Sequence, residues 1–282
     1  MNGDHLRSRI DAGSVVAPGV WDPLSALLSR EAGFDTVFVS GFAVAASLLG
    51  EPDIGLLTQA EVADTARRIC LAVPDMAVIV DADTGYGDER SAARTAALWE
   101  QAGAAGLFLE DQVFPKRCGH LAGKDVVDTD DWLAKLSAVL GARTRLHVTA
   151  RTDARAVLGL AEAIERGRMA ADIGVDAVFV EAPASPDEFE AIGTALGGRG
   201  AALVANMVEG GKSPLLSVDE LAQLGFGIVI NPLTALLTML PAVRASLAEL
   251  RNAGTVRDRL EPLAAFDDLT ALVGLGRHPD SA

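Results

Sequence analysis

The chain is poor in cysteine, with only Cys70 and Cys118 in 282 residues. Two thiols build no disulfide framework, and a reducing cytoplasm is the expected compartment. No basic run exists, and acidic side chains outnumber Lys and Arg by 39 to 24, a formal net charge of −15. Nucleic acid and acidic membranes are therefore not expected partners. Nothing after Met1–Arg7 has the apolar length of a signal peptide, and no apolar run reaches the length of a membrane span. Low-complexity tracts and long linkers are also missing. Half of the residues are hydrophobic, which suffices for one large core. Residues 1–282 therefore read as a single domain, with Gly276–Ala282 as a frayed tail. In so acidic a chain, an anionic substrate needs local positive charge from Lys116, Arg117, Arg151 or a metal.

Short β-branched runs recur, each followed by polar residues and a helical stretch. Strands are expected at Ser14–Pro18, Thr36–Ser40, Ala77–Val80, Gly106–Leu109, Leu146–Ala150, Ala177–Val180, Ala201–Ala205 and Gly227–Ile230. The runs are continuous rather than alternating, as in parallel strands buried on both faces. Four share a lead-in with a glycine, Gly33, Gly103, Gly174 or Gly225, that stops a helix and turns the chain. Eight strands separated by helices predict a (β/α)8 TIM barrel, an α/β fold. A doubly wound sheet is the alternative, but no Gly-x-Gly-x-x-Gly turn follows the first strand. Two further helices, Leu233–Ala253 and Thr255–Val273, make 233–275 a C-terminal extension. A closed barrel needs only one helix there, so a neighbouring subunit is a reasonable place for the surplus.

In such barrels the active site lies at the C-terminal ends of the strands. Standing there are Trp21–Asp22, Ser40–Gly41, Asp81 with Asp83, Glu110–Asp111, Arg151 with Asp153, Glu181, Asn206 with Glu209, and Asn231. Asp81 and Asp83, with Glu110 at the next strand end, are oxygen donors suited to a hard cation. In Lys116-Arg117-Cys118-Gly119-His120-Leu121 one thiol stands among basic or basic-capable side chains. Such neighbours favour a thiolate or a tuned proton donor. Cys70 reads as a small core residue. His5, His147 and His278 read as structural or exposed, and Trp21 and Trp132 as packing residues. Gly210-Gly211-Lys212 lacks the spacing of a phosphate loop and reads as a turn over the site.

Gly19–Ala26, Val39–Phe42, Asp81–Gly87, Glu110–Gln112, Lys116–His120, Ala150–Ala154 and Asn206–Lys212, in this order, resemble the isocitrate lyase/phosphoenolpyruvate mutase superfamily. The likeness runs from about Val15 to Pro232. It implies an enzyme acting on small anionic oxo or 2-hydroxy acids through an enolpyruvate-like intermediate, with Mg2+ as cofactor and Mn2+ as a substitute. It further implies that Asp53, Asp81, Asp83 and Glu110 surround the metal, directly or through water. Ser40, Gly41 and Phe42 would hold substrate oxygens, and Arg151 the carboxylate and enolate charge. Lys116, Arg117, Cys118, Gly119 and His120 would form a mobile loop, and Glu181 and Asn206 the floor. A homotetramer exchanging its C-terminal helices is implied too, burying Leu260, Leu263 and Phe266.

The thiol favours the carbon–carbon lyases of the superfamily, with Cys118 protonating a carbanion after retro-aldol cleavage. Asn206–Lys212 departs from the methylisocitrate type and resembles both the dimethylmalate lyase type and carboxyphosphonoenolpyruvate phosphonomutase, which shares the Lys-Arg-Cys-Gly-His run. A tricarboxylate needs extra cations, and few stand near the site, which favours a smaller 2-alkylmalate or related dicarboxylate, with methylisocitrate still open. Carboxyphosphonoenolpyruvate phosphonomutase, an oxaloacetate-type decarboxylase and a relict binding barrel are the alternatives.

Overall fold

Eight parallel strands close in sequence order into a barrel, β1 pairing with both β2 and β8. They are β1 Val15–Val20, β2 Thr36–Val39, β3 Ala77–Asp81, β4 Gly106–Glu110, β5 His147–Thr152, β6 Ala177–Val180, β7 Ala202–Asn206 and β8 Phe226–Asn231. The computed structural model describes residues 1–274, without the side chain of Arg259. The expected tail and His278 lie outside the described residues. The helices are α1 Gly3–Ala12, α2 Pro23–Glu31, α3 Gly41–Val44, α4 Gln59–Ala72, α5 Glu89–Ala102 and α6 Thr129–Ala142. They continue as α7 Ala154–Val157, α8 Leu160–Asp172, α9 Pro186–Leu196, α10 Val218–Gln223, α11 Thr234–Ala253 and α12 Phe266–Leu272.

The expected (β/α)8 fold is observed, and so are its eight strands. Six of them end one or two residues later than their apolar runs suggest, at Val20, Asp81, Glu110, Thr152, Asn206 and Asn231. Ladder hydrogen bonds join backbones, so a polar side chain does not end a strand once its backbone is paired. This carries Glu110 and Arg151 into direct register across β4 and β5. The four lead-in glycines take left-handed φ values of 90°, 96°, 91° and 87° at Gly33, Gly103, Gly174 and Gly225, which a side chain would strain.

Inside the barrel, Phe38, Phe108 and Phe179 stack at centroid distances of 5.0 Å and 5.7 Å. Leu6 of α1 closes the base beneath them. Arg7 ties α1 down, donating to Asp176 Oδ1 at 2.7 Å and to the Leu146 carbonyl at 2.9 Å. Cys70, Trp132 and His147 are buried in structural positions, Trp21 packs against the core, and His5 is exposed.

The end of the chain differs from expectation. Thr255–Val273 is not one helix but a 3-10 turn at Arg257–Arg259 and the short α12. Gly254 ends α11 in the left-handed conformation, and Pro262 cannot continue a helix begun before it. No helix among the described residues is long and apolar enough to cross a membrane.

Candidate active site

The strand ends converge on a cavity of about 40 Å³, room for a few water molecules. Ser40, Gly41, Phe42, Asp53, Asp81, Cys118, Gly119, His120, Arg151, Glu181 and Asn206 line it. Ser40 caps α3, its Oγ accepting from the Ala43 N–H at 3.3 Å, so the first N–H groups of that helix lack intrahelical partners. Three residues in the loops after β3 and β6 adopt left-handed φ without being glycine: Asp83 at 46°, Tyr86 at 61° and Ala182 at 55°. Such strain persists where surrounding structure enforces it.

Arg151 sits among three carboxylates. Its Nε donates to Asp153 Oδ2 at 3.0 Å, and its terminal nitrogens lie 3.2 Å from Glu110 Oε2 and 3.3 Å from Glu181 Oε2. The guanidinium lies over the Phe179 ring at 5.5 Å. Asn206 Nδ2 donates to Glu181 Oε2 at 3.3 Å. Behind Arg151, Asp111 accepts from the Asp153 N–H at 2.8 Å and from Thr152 Oγ1 at 2.6 Å. Arg166 neutralises Asp111 at 3.0 Å.

The loop after β4 closes over this floor. Lys116 Nζ is buried between Asp53 Oδ1 at 2.5 Å and Asp83 Oδ1 at 2.7 Å. The Cys118 N–H donates to the Asp53 carbonyl at 3.1 Å. A Cβ on Gly119 would meet Glu181 Cδ at 2.5 Å, so only glycine allows this approach. His120 Nδ1 accepts from the Lys212 N–H at 2.9 Å, leaving Nε2 facing Glu181 Oε1 at 3.4 Å. The 210–212 turn thus does fold over the site.

Burial sets the electrostatics and charge pairing divides them. It pushes Asp83 up to about 6 despite the Lys116 ammonium. Burial also raises Glu110, against the pull of Arg151 and Lys116. Burial works to discharge Lys116 and Arg151, but their surrounding carboxylates outweigh it and hold both charged. Asp153 and Glu181 stay below the usual range because Arg151 offsets their burial. The Cys118 thiol is pushed up to about 11 by burial, with Asp53 and Glu181 adding to the rise. Of the two states the sequence left open, thiolate or proton donor, this direction favours the protonated thiol. The Lys116 charge is spent on carboxylates, so sequence neighbours are not electrostatic neighbours here.

The donor set fits a hydrated hard cation. Asp83 Oδ1 and Glu110 Oε2 have ion-pair partners in Lys116 and Arg151, but Glu110 Oε1 is buried with no partner, and a buried carboxylate oxygen does not ordinarily go unpaired. Mg2+ takes oxygen ligands and retains waters. Among the described residues, no three His, Cys, Asp or Glu side chains converge as a ready ligand set. The Lys116 ammonium stands among the acids instead, so the expected four-carboxylate shell is not drawn together around one point.

The family model for phosphoenolpyruvate phosphomutase matches residues 6–251. The chain belongs to that family, within the isocitrate lyase/phosphoenolpyruvate mutase superfamily. It is 43% identical over 94% of its length, and 79% of the relative's, to the chloroplastic carboxyvinyl-carboxyphosphonate phosphorylmutase of Arabidopsis thaliana. It is 46% identical, over 89% of its length and 85% of the relative's, to the probable 2-methylisocitrate lyase 1 of Corynebacterium glutamicum. It is 38% identical to 2,3-dimethylmalate lyase of Eubacterium barkeri, covering 93% of this chain and 90% of that one. Oxaloacetate acetylhydrolase bound to 3,3-difluorooxalacetate superposes with a TM-score of 0.93 at 36% identity, over 98% of this chain and 94% of that one. Phosphonopyruvate hydrolase bound to oxalate and Mg2+ does so with 0.87 at 30% identity, over 98% and 96%.

Four expected site residues do not line the cavity: Arg117, Lys116, Asp83 and Glu110. Arg117 is exposed and its guanidinium lies near Gly123. Its backbone instead pairs with Gln112, which accepts from the Arg117 N–H at 2.9 Å. Lys116, Asp83 and Glu110 form a layer behind the lining. Asp22 and Asp111 serve helix capping and support rather than the cavity. Sequence reasoning missed Lys124, whose buried ammonium meets Asp153 Oδ1 at 2.6 Å. The only signal was its place five residues after Gly119. It also missed the apolar wall of Val208, Pro232 and Leu233, which continues from two strand ends without a polar marker.

Proposed function

We propose that the chain is a Mg2+-dependent carbon–carbon lyase. It cleaves a 2-hydroxy dicarboxylate of the 2-alkylmalate type to pyruvate or a similar oxo acid plus a carboxylate. One observation carries the reading: the cavity combines a neutral thiol with a single full cation, Arg151, and an apolar wall of Phe42, Val208, Pro232 and Leu233. An alkyl substituent suits that wall, whereas a third carboxylate would lack a cation of its own.

Arg151 binds the carboxylate beside the hydroxyl-bearing carbon, helped by the free N–H groups at the start of α3. Of the three acids touching Arg151, only Glu181 lines the cavity, so it takes the hydroxyl proton. The carbonyl then forms as the adjacent C–C bond breaks, and the electron pair moves to the carbon next to the second carboxylate. Cys118 Sγ–H gives that carbon its proton. The proton held by Glu181 balances the one given by Cys118 when the site reopens to water. Mg2+ held at the cavity by Asp81 and Asp53, with Asp83 and Glu110 behind them reached through water, would stabilise negative charge on the substrate oxygens. The loop 116–120 excludes water from the carbanion.

Two other readings have support. Similarity to a probable 2-methylisocitrate lyase favours a tricarboxylate, and similarity to a phosphorylmutase favours phosphorus–carbon rearrangement. The latter has no evident need for a thiol acid. We take residues 1–282 as one cytoplasmic barrel unit, with 233–275 serving a homotetramer. The test is oxo-acid release from 2-hydroxy diacids with and without metal. Activity should vanish after chelation and return with Mg2+ or Mn2+. Full activity after thorough metal removal would refute the metal requirement.

A further inference from the structure

We propose that Lys124 is a positioning residue that couples closure of the catalytic loop to the setting of Arg151. Its Nζ donates to the Gly119 carbonyl and to Asp153 Oδ1, the latter at 2.6 Å. The same Asp153 carboxylate accepts Arg151 Nε at 3.0 Å and a terminal Arg151 nitrogen at 3.3 Å. One carboxylate thus reads both the loop and the guanidinium. The Lys124 side chain is 2% exposed and Asp153 fully buried, so neither bond is exchanged cheaply for water. Asp153 is itself fixed from below, its backbone N–H donating to Asp111 and Asp111 being held by Arg166.

The consequence is geometric. The Gly119 carbonyl accepts from Lys124 in the arrangement where Gly119 lies against Glu181, and a Cβ there would stand 2.5 Å from the carboxyl carbon. That is also the arrangement in which Cys118 and His120 face the cavity. Lys124 touches none of the cavity space itself. Without its ammonium, Asp153 keeps Arg151, but the loop loses its tie to that pair and opens more often. Charge-assisted bonds of this kind stabilise by about 1.5–3 kcal/mol, and about 1.4 kcal/mol is a factor of ten in an equilibrium.

The inference rests on the proposed reaction only for its effect on turnover, so the primary test avoids turnover. The alkylation rate of Cys118 by iodoacetamide would be measured in the substrate-free protein, with buried Cys70 as internal control. Lys124→Met should raise the Cys118 rate about tenfold or more while Cys70 stays unreactive and circular dichroism shows the fold retained. Lys124→Arg should restore slow alkylation. With any substrate the protein turns over, Lys124→Met should lower kcat more than it raises KM. Equal Cys118 rates in wild type and Lys124→Met would overturn the coupling. If Lys124→Met does not fold, Lys124→Gln takes its place, and failure of both to fold would make the residue purely structural and overturn it too. If the lyase reading fails, no diacid is cleaved, yet the difference in alkylation remains.

Discussion

At the scale of the residue, the decisive group is Cys118. Burial keeps it a thiol, pushed up to about 11, so it can give a proton but has no thiolate to attack with at neutral pH. Cys118→Ser removes the acidity and keeps the size. We predict an intact fold and turnover lower by about 10²–10⁴-fold, the usual contribution of a placed acid or base. Steady-state rates and a melting curve check this; near-normal turnover would reduce the thiol to a loop residue. The residue types of the site were legible because carboxylates at successive strand ends are conspicuous after apolar runs. Which charges meet was not. Lys116 lies two residues from Cys118 in sequence, yet its ammonium is taken by Asp53 and Asp83. Arg117 lies one residue away and points outward. Asp53 had no strand end to mark it, and only family likeness pointed there.

At the scale of the element, one apolar stripe of α11 changes fate along its length. Leu236 packs near the barrel mouth with Leu233 and Val208. Leu240, Val243, Leu247 and Leu250 continue the same three-and-four spacing along the helix but stay exposed, Leu247 at 59%. Leu260, Leu263 and Phe266 add to the uncovered apolar surface, Phe266 at 78%. A seam of this spacing suits helix–helix packing and is costly in water. We predict an oligomer, a tetramer by family likeness, in which a second copy covers it. Light scattering at micromolar concentration should give more than one chain mass, and Leu247→Glu with Leu250→Glu should lower it. A monomeric wild type would contradict this. The strands were legible because continuous β-branched runs leave few other solutions. The segment after Gly254 was not, because a seven-residue helix that buries nothing of its own has little hydrophobic pattern to read.

At the scale of the whole molecule, the two ends of the barrel answer pH differently from the chain's overall acidity. At the base, β5 begins with His147, buried and pushed down to about 4 by loss of solvent. Its unfolded counterpart titrates at the ordinary 6.5. Between these values the unfolded chain binds a proton that the folded one refuses. Stability from this group is therefore complete above pH 6.5 and is lost as pH falls toward 4, on the order of 3 kcal/mol in all. Wild type should lose more stability than His147→Gln over that window in melting curves; parallel pH dependences would contradict the assignment. At the opposite end, the strand termini gather Arg151, the acids and the closing loop into one chemical unit. The central claim is that this unit breaks a carbon–carbon bond. Its most direct test is a set of 2-hydroxy diacids, dimethylmalate and methylisocitrate among them, assayed with Mg2+ for oxo-acid release. Phosphonopyruvate-type compounds would be followed alongside by phosphorus NMR. The account predicts pyruvate or a related oxo acid from a 2-alkylmalate and no rearranged phosphorus compound. Efficient phosphorus–carbon rearrangement, with no oxo acid released from any diacid, would contradict it.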